Sequence, residues 1–317
     1  MIAVHSEKVL KIIAKFSNPI TDFRTKALDK LKSIDQAQFA PHPEDKNYLN
    51  RIIHYFQNDD IIVGEEVVLE TIKNDLFALK TENTDLKNEI VKALNYKGLR
   101  STFYPKYFQE LDVKSCVYCN SQLTIVARKD TNGNLSAKFQ VDHYYPKDDF
   151  PFLSISLFNL YPSCATCNNL KKKKEVDFNL YSRNINETLN SRFKFKLSPS
   201  SKIKYLTSKD SSDIEILFKD NKNKNKIFND TFHIEGIYET QKDLIEELII
   251  KSQIYNDSYL KSLNNSFSKL SLNPSLFKRT IVGNYVDERD IHKRPMSKVV
   301  MDIARDLGLI EDSSKTI

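Results

Sequence analysis

Hydrophobic positions along the chain change period twice. In the first hundred residues they recur at helical spacing. Val9, Ile12, Ile13 and Phe16 follow i, i+3, i+4 and i+7, one face of a helix. Leu69, Ile72, Leu76 and Leu79 repeat the pattern, as do Leu86, Ile90 and Leu94. Asn18-Pro19 and Pro41-His42-Pro43 interrupt it and predict connections. From Gln122 the period falls to two. Residues 122–128 are rich in Ile, Val and Thr, and Leu135, Ala137, Phe139 and Val141 then alternate with Ser136, Lys138 and Gln140. Asn132-Gly133 between these runs predicts a hairpin whose second strand ends at Asp142-His143, so rigid strand backbone would carry those two side chains.

Short alternating pieces return at 193–197, 203–206 and 214–218, and the Asn/Lys run 221–226 reads as a solvated loop. Helical spacing resumes from Thr240. Thr240 and Asp243 have capping-box spacing, Leu244, Leu248, Ile249 and Ile254 form a stripe, and Leu260, Leu263, Phe267 and Leu270 extend the layer. Asn273-Pro274 predicts an N-cap and first helical residue, and a last helix runs from about Ser297 to near Gly308. The pattern predicts an α+β protein in three parts: a helical N-terminal region over 1–98, a core over 99–181, and a small β element followed by helices over 182–317. The N-terminal part reads either as a docking module for a partner protein or as a helical layer packed on the core.

Composition sharpens this picture in two ways. The 317 residues suffice for a sizeable core, and no apolar run approaches the roughly 20 residues that span a bilayer. Residues 1–7 lack the basic start and apolar stretch of a signal peptide, so a cytoplasmic protein without membrane partners is expected. The net charge of +6 lies outside residues 1–111, where acids and bases balance. A nucleic-acid grip is therefore expected in the central and C-terminal parts.

The chemistry concentrates between Cys116 and Lys174. All four cysteines form two Cys-x-x-Cys pairs, Cys116/Cys119 and Cys164/Cys167. A two-residue gap lets one turn present two sulfurs to one ion, and four thiolates close a tetrahedral structural zinc site with no open position. Asp142 and Asn168 add hard oxygen donors of the kind Mg²⁺ accepts, and His143 adds an imidazole able to take a proton near neutral pH. Lys171, Lys172, Lys173 and Lys174, starting just after Asn168, and Lys147 are candidate phosphate contacts. Tyr144 and Tyr145 would fill the loop below or stack on a base. His292 sits in a charged segment without a ligand constellation, and His233 reads as a core or interface histidine.

Taken in order, these elements resemble the HNH endonucleases. The family pattern in words is Cys-x-x-Cys, Asp-His-x-x-Pro, a central Asn-Leu, then Cys-x-x-Cys-Asn followed by lysines. The chain carries it as Cys116/Cys119, Asp142-His143 with Pro146, Asn159-Leu160, and Cys164/Cys167-Asn168, within about residues 112–175. The resemblance implies a ββα-metal (treble-clef) fold and hydrolysis of phosphodiester bonds in DNA, RNA not being excluded. It implies His143 as general base, Asp142 and Asn168 as ligands of a catalytic Mg²⁺ or Mn²⁺, and Asn159 as the residue fixing the backbone around His143. In layout alone the chain resembles, more loosely, the HNH subunits of Septu-like anti-phage defence systems, some attached to retrons, which implies an ATPase partner. A stand-alone restriction-type nuclease, or a zinc-stabilised nucleic-acid-binding module without cleavage, are the alternatives. The intact Asp142, His143 and Asn168 set distinguishes cleavage from binding alone.

Overall fold

The computed structural model describes residues 1–35, 43–58, 61–78, 84–221, 227–267 and 273–311. Expectations placed on Pro41-His42, Leu79, residues 222–226 and Leu270 lie outside them. The architecture is mixed α+β, mostly helical, with four two-stranded sheets among the described residues.

A short strand, β1 (Val4–His5), leads into α1 (Ser6–Lys15), whose Val9, Ile12 and Ile13 are buried as their spacing requires. The break expected at Asn18-Pro19 falls earlier, at Phe16. Asn18 and Pro19 occupy the first turn of α2 (Ser17–Lys32), where a missing N–H costs nothing. Then come α3 (Pro43–Asn58), α4 (Glu66–Leu76), α5 (Thr84–Ala93), α6 (Tyr96–Thr102) and α7 (Tyr104–Leu111). Phe16 and Phe23 meet Phe103 edge-on at 5.5 and 5.1 Å, and Phe108 meets Phe139 at 5.3 Å. These rings fasten the N-terminal helices to the central part, so this region is a packed layer.

In the centre, β2 (Val126–Arg128) and β3 (Leu135–Ala137) form the hairpin, with Gly133 at φ 81° in its turn. The expected continuous strand to His143 does not form. The chain leaves β3 at Lys138, and β4 (Gln140–His143) pairs antiparallel with β5 (Leu160–Ser163), setting Asp142 opposite Tyr161 and His143 opposite Leu160. Every β5 residue is buried, so β4 is held by buried partners. The helix α8 (Ala165–Lys171) follows directly.

Beyond it, β6 (Tyr181–Ser182) pairs in parallel with β1, tying Val4 to Tyr181, and the short α9 (Ile185–Leu189) follows. β7 (Phe193–Leu197) forms as expected. Residues 203–206 instead belong to α10 (Pro199–Ser208), which Pro199 starts; Tyr205 is buried and Ile203 exposed, as a helix but not a strand would place them. β8 (Ile216–Asp220) pairs antiparallel with β7. Next are α11 (Ile227–Phe232), α12 (Ile234–Glu239) and α13 (Lys242–Ile254). The capping box at Thr240 does not form: Thr240 closes α12, its hydroxyl donating to the Ile237 carbonyl, and α13 has no side-chain cap. In α14 (Asp257–Ser266) and α15 (Pro274–Val282) the caps are Asn256 and Asn273. The last helix, α16 (Ser297–Asp306), lies on β7 and ends before Gly308, which sits at φ 74°.

One hydrophobic cluster runs from Ile2 through Leu111, Leu160 and Phe195 to Ile310. The expected divisions after residues 98 and 181 fall inside α6 and β6. No helix among the described residues is long and apolar enough to cross a membrane.

Candidate metal centre and adjoining cleft

The two cysteine pairs are brought together from separate turns. Ser115 bridges to Leu123, the Cys116 amide donates to the Gln122 carbonyl, and Asn120 takes a left-handed conformation at φ 55°, folding Cys116–Cys119 into a tight knuckle. Cys164 caps α8, its sulfur accepting from the Cys167 amide at 3.4 Å, so the second pair sits on the first turn of that helix. All four sulfurs lie within 4.8 Å of one another, are buried, and form no disulfide. The Ser121 hydroxyl donates to the Cys119 sulfur at 3.1 Å. Hydrogen bonds from the other three thiols, Cys116 first, hold the Cys119 thiol well below the ordinary range. Four crowded, buried sulfurs with one already disposed to ionise form a donor set suited to a metal ion.

The knuckle is anchored from behind. Asn120 is fully buried; its amide donates to the Ser115 hydroxyl at 2.7 Å and the Ile291 carbonyl at 2.9 Å, and its carbonyl oxygen accepts from the Lys298 amide. The Tyr238 hydroxyl donates to the Cys119 carbonyl at 2.7 Å. His292 belongs to this support: its backbone carbonyl accepts from the Lys114 and Ser115 amides, and its ring bonds the Ile2 carbonyl at 2.8 Å. His233, expected in a core or interface, is exposed at φ 52° between α11 and α12.

Beside the knuckle a cleft of about 510 Å³ opens, lined by Asp142, His143 and Asn168 together with Tyr96, Arg100 and Lys147. In Asp142, Oδ2 accepts from the Tyr118 hydroxyl at 2.5 Å and pairs with the Lys171 ammonium at 3.2 Å. Burial raises its carboxyl pKa, and Lys171 and Tyr118 oppose that rise. The His143 ring meets the Ser154 carbonyl through Nε2 at 3.0 Å. A carbonyl only accepts, so Nε2 carries the proton and Nδ1 presents a lone pair. Burial pushes the imidazole down to about 3, so the ring is neutral at pH 7. Asn168 donates its amide to Gln140 Oε1 at 2.5 Å, and its own side-chain carbonyl oxygen has no donor among the described residues. Asn159 is buried; its Oδ1 accepts from the Tyr145 amide at 2.7 Å and its Nδ2 donates to the Tyr145 and Leu153 carbonyls. It thereby closes the loop that begins at His143.

The lysine run divides. Lys171 is fully buried: its ammonium donates to the His143 carbonyl at 2.8 Å and the Tyr144 carbonyl at 3.3 Å besides pairing with Asp142. It is therefore withdrawn from any phosphate, contrary to expectation, because α8 ends there and its last turn faces the core. Lys172, at φ 48°, terminates the helix, so the lysines after it do not continue α8. Lys172 and Lys173 line the cleft, with Lys173 paired to Asp149 at 2.6 Å; Lys174 is exposed but is not among the lining residues. Tyr144 stacks on Tyr161 at 5.4 Å and Tyr145 is buried, so both fill the loop.

Four contributors escaped the sequence reading. Gln140 had a signal, since it precedes Asp142 by two residues on a strand and so shares its face. Tyr118, between the first two cysteines, had none pointing to Asp142. Tyr96 and Arg100, one helical turn apart on α6, sit in the charge-balanced stretch 1–111, outside the parts where a nucleic-acid grip is expected. The Tyr96 ring lies 4.8 Å from the His143 ring, and its hydroxyl donates to the Val141 carbonyl at 3.4 Å.

No protein-family model and no solved structure matches the chain. Over 74 residues it is 35% identical to the Septu protein PtuB of Bacillus thuringiensis, a match covering 22% of this chain and 25% of that protein. The chain is thus similar in part to a Septu-family protein and carries, among its described residues, a buried four-cysteine cluster able to hold a metal ion.

Proposed function

We propose that this chain is a metal-dependent endonuclease that hydrolyses phosphodiester bonds in DNA. The observation that carries the reading is the convergence of Asp142, His143 and Asn168 on one cleft with cations on its walls. The four cysteines would hold a structural zinc. A tetrahedron with Zn–S bonds of about 2.3 Å separates its sulfurs by about 3.8 Å, which fits sulfurs lying within 4.8 Å. The order β4, β5, α8 supports a ββα-metal core, with the zinc ligands Cys164 and Cys167 on the helix that carries Asn168.

His143 acts as general base. The Ser154 carbonyl holds the ring proton on Nε2, so Nδ1 takes the proton of an attacking water. Tyr118 and Lys171 fix the carboxylate of Asp142, and Gln140 turns the carbonyl oxygen of Asn168 outward. Those two hard oxygens would hold Mg²⁺ or Mn²⁺, which supplies, when bound, neutralisation of the charge developing on the phosphate and leaving oxygen. Asn159 keeps the loop after His143 from shifting. Lys147, Lys172 and Lys173 would contact backbone phosphates, with the exposed Lys174 outside the cleft lining. The partial similarity to a Septu protein supports placing this nuclease in a cytoplasmic anti-phage assembly with an ATPase partner.

Incubation of supercoiled plasmid with the protein and Mg²⁺ or Mn²⁺ tests the reading. Nicked and linear products that disappear in excess EDTA are expected. Equal cleavage in excess EDTA overturns the assignment of the cleft to a divalent cation.

A further inference from the structure

The cleft has a wall that the motif residues do not supply. Helix α6 contributes Tyr96 and Arg100, four residues apart and so on one face. The helix is fastened to the chemistry: the Tyr96 ring is 4.8 Å from that of His143, and its hydroxyl bonds the backbone of β4 at Val141. Lys147 sits over the same tyrosine, its ammonium 5.4 Å from the ring centre. Arg100 is exposed and has no hydrogen-bond or ion-pair partner among the described residues.

The balance of charge around this wall is one-sided. Arg100, Lys147, Lys172 and Lys173 line the cleft against two acids, Asp142 and Asp148. Asp142 is already paired with the buried Lys171, which does not line it, and Lys173 is paired with Asp149. Three cations, Arg100, Lys147 and Lys172, therefore face the cleft without a carboxylate partner among the described residues. A guanidinium carries a planar fork of donors matched to two phosphate oxygens, and it cannot lose its charge.

We propose that α6 is a wall of the substrate cleft, in which Arg100 grips a DNA backbone phosphate next to the one cleaved while Tyr96 braces the ring of His143. This rests on the nuclease reading for the identity of the substrate. It extends the substrate site to α6, where residues 1–98 meet the core: any movement of α6 alters both the grip and the base. Arg100 is a binding residue here, and Tyr96 a positioning residue.

Binding of a labelled DNA duplex, measured by fluorescence anisotropy on the full chain in a His143→Ala background to prevent cutting, tests the grip. Arg100→Ala is expected to weaken binding roughly tenfold and to reduce the slope of log affinity against log salt by about one. Arg100→Lys should keep that slope, and Lys97→Ala, an exposed cation on the same helix outside the cleft, should match the parent. Circular dichroism melts identical to the parent's confirm that the exposed substitutions leave the fold intact. Parent-like binding by Arg100→Ala, or an equal loss in Lys97→Ala, overturns the proposal. For Tyr96, Tyr96→Phe should keep the cleavage rate within about threefold, because the ring remains, whereas Tyr96→Ala lowers kcat with little change in KM. Equal kcat in those two variants overturns the bracing role. If the chain with His143 intact binds duplex through Arg100 yet cuts nothing with Mg²⁺ or Mn²⁺, the nuclease reading fails and the phosphate grip stands. If the parent binds no duplex, both fall.

Discussion

Replacing Lys171 by Met is the substitution whose cost follows most directly from the geometry. Its ammonium lies 3.2 Å from Asp142 Oδ2 and donates to the carbonyls of His143 and Tyr144 at 2.8 and 3.3 Å. The side chains of the ion pair are 0% and 5% exposed. Methionine fills much of the volume but leaves a buried carboxylate with Tyr118 and the His143 amide as its remaining donors, and two carbonyls without theirs. Breaking such a pair by removing one partner costs about 3–5 kcal/mol, against about 0–1 for an exposed pair. With about 2.1 cal/mol/K of unfolding entropy per residue, one kcal/mol shifts the melting temperature of a 317-residue chain by about 1.5 °C, so it should fall by roughly 5–7 °C. The deficit has a pH signature. Burial already raises the Asp142 carboxyl above its ordinary value of 3.8, and losing Lys171 raises it further. Between the unfolded and folded values the folded state binds more protons, so stability falls as pH rises through that window. Lys171→Met should therefore be closest to the unsubstituted chain in mild acid and furthest from it in alkali. Adding Asp142→Asn removes the orphaned charge and should recover part of the loss. Thermal unfolding by far-UV circular dichroism across pH 5–8, with the exposed Lys172→Ala as comparison, measures all of this. A Lys171→Met melt within about 1 °C of the unsubstituted chain, or a double variant no better than the single, refutes the reasoning.

Two further outcomes follow from the buried groups. Cys164→Ser should lower the zinc content measured by atomic emission from about one ion per chain and reduce soluble yield; unchanged zinc and stability contradict the four-thiolate site. For His292, burial pushes the imidazole down to about 3 from 6.5, so the unfolded chain binds a proton that the folded chain excludes. Stability from this group is present above 6.5 and falls by about 1.4 kcal/mol per pH unit as the pH drops toward 3. His292→Gln should flatten the denaturation midpoint against pH over that range; an unchanged slope shows that His292 does not titrate as its burial requires.

Features that depend on neighbours in the chain were legible before any fold was known. The stripe in α1, the Asn273-Pro274 start of α15, the extent of β7 and the two cysteine turns all follow from periods and caps a few residues long. Features set by packing were not. The 135–141 alternation looks like one strand, yet β4 leaves β3 to pair with β5, since a period of two says which face is buried but not which strand is opposite. The Lys171–Lys174 run reads as one basic patch because charge is visible and burial is not; the end of α8 sends the first lysine inward and the others out. Tyr96 and Arg100 lie in a charge-balanced stretch about 40 residues before Asp142, and only the docking of α6 on β4 brings them to the cleft. Cysteine spacing indicated a metal site, while the brace of Asn120, Tyr238 and His292 depends on contacts spanning more than 100 residues.

If the cysteines build a frame and His143, beside it, does the cutting, one substitution separates the two roles. Plasmid cleavage by purified His143→Ala in Mg²⁺, with zinc content and melting temperature measured on the same sample, tests it most directly. Loss of cleavage by a factor of at least about 100, with zinc and fold retained, is the predicted result. Cleavage at the unsubstituted rate by a zinc-loaded, folded His143→Ala contradicts it.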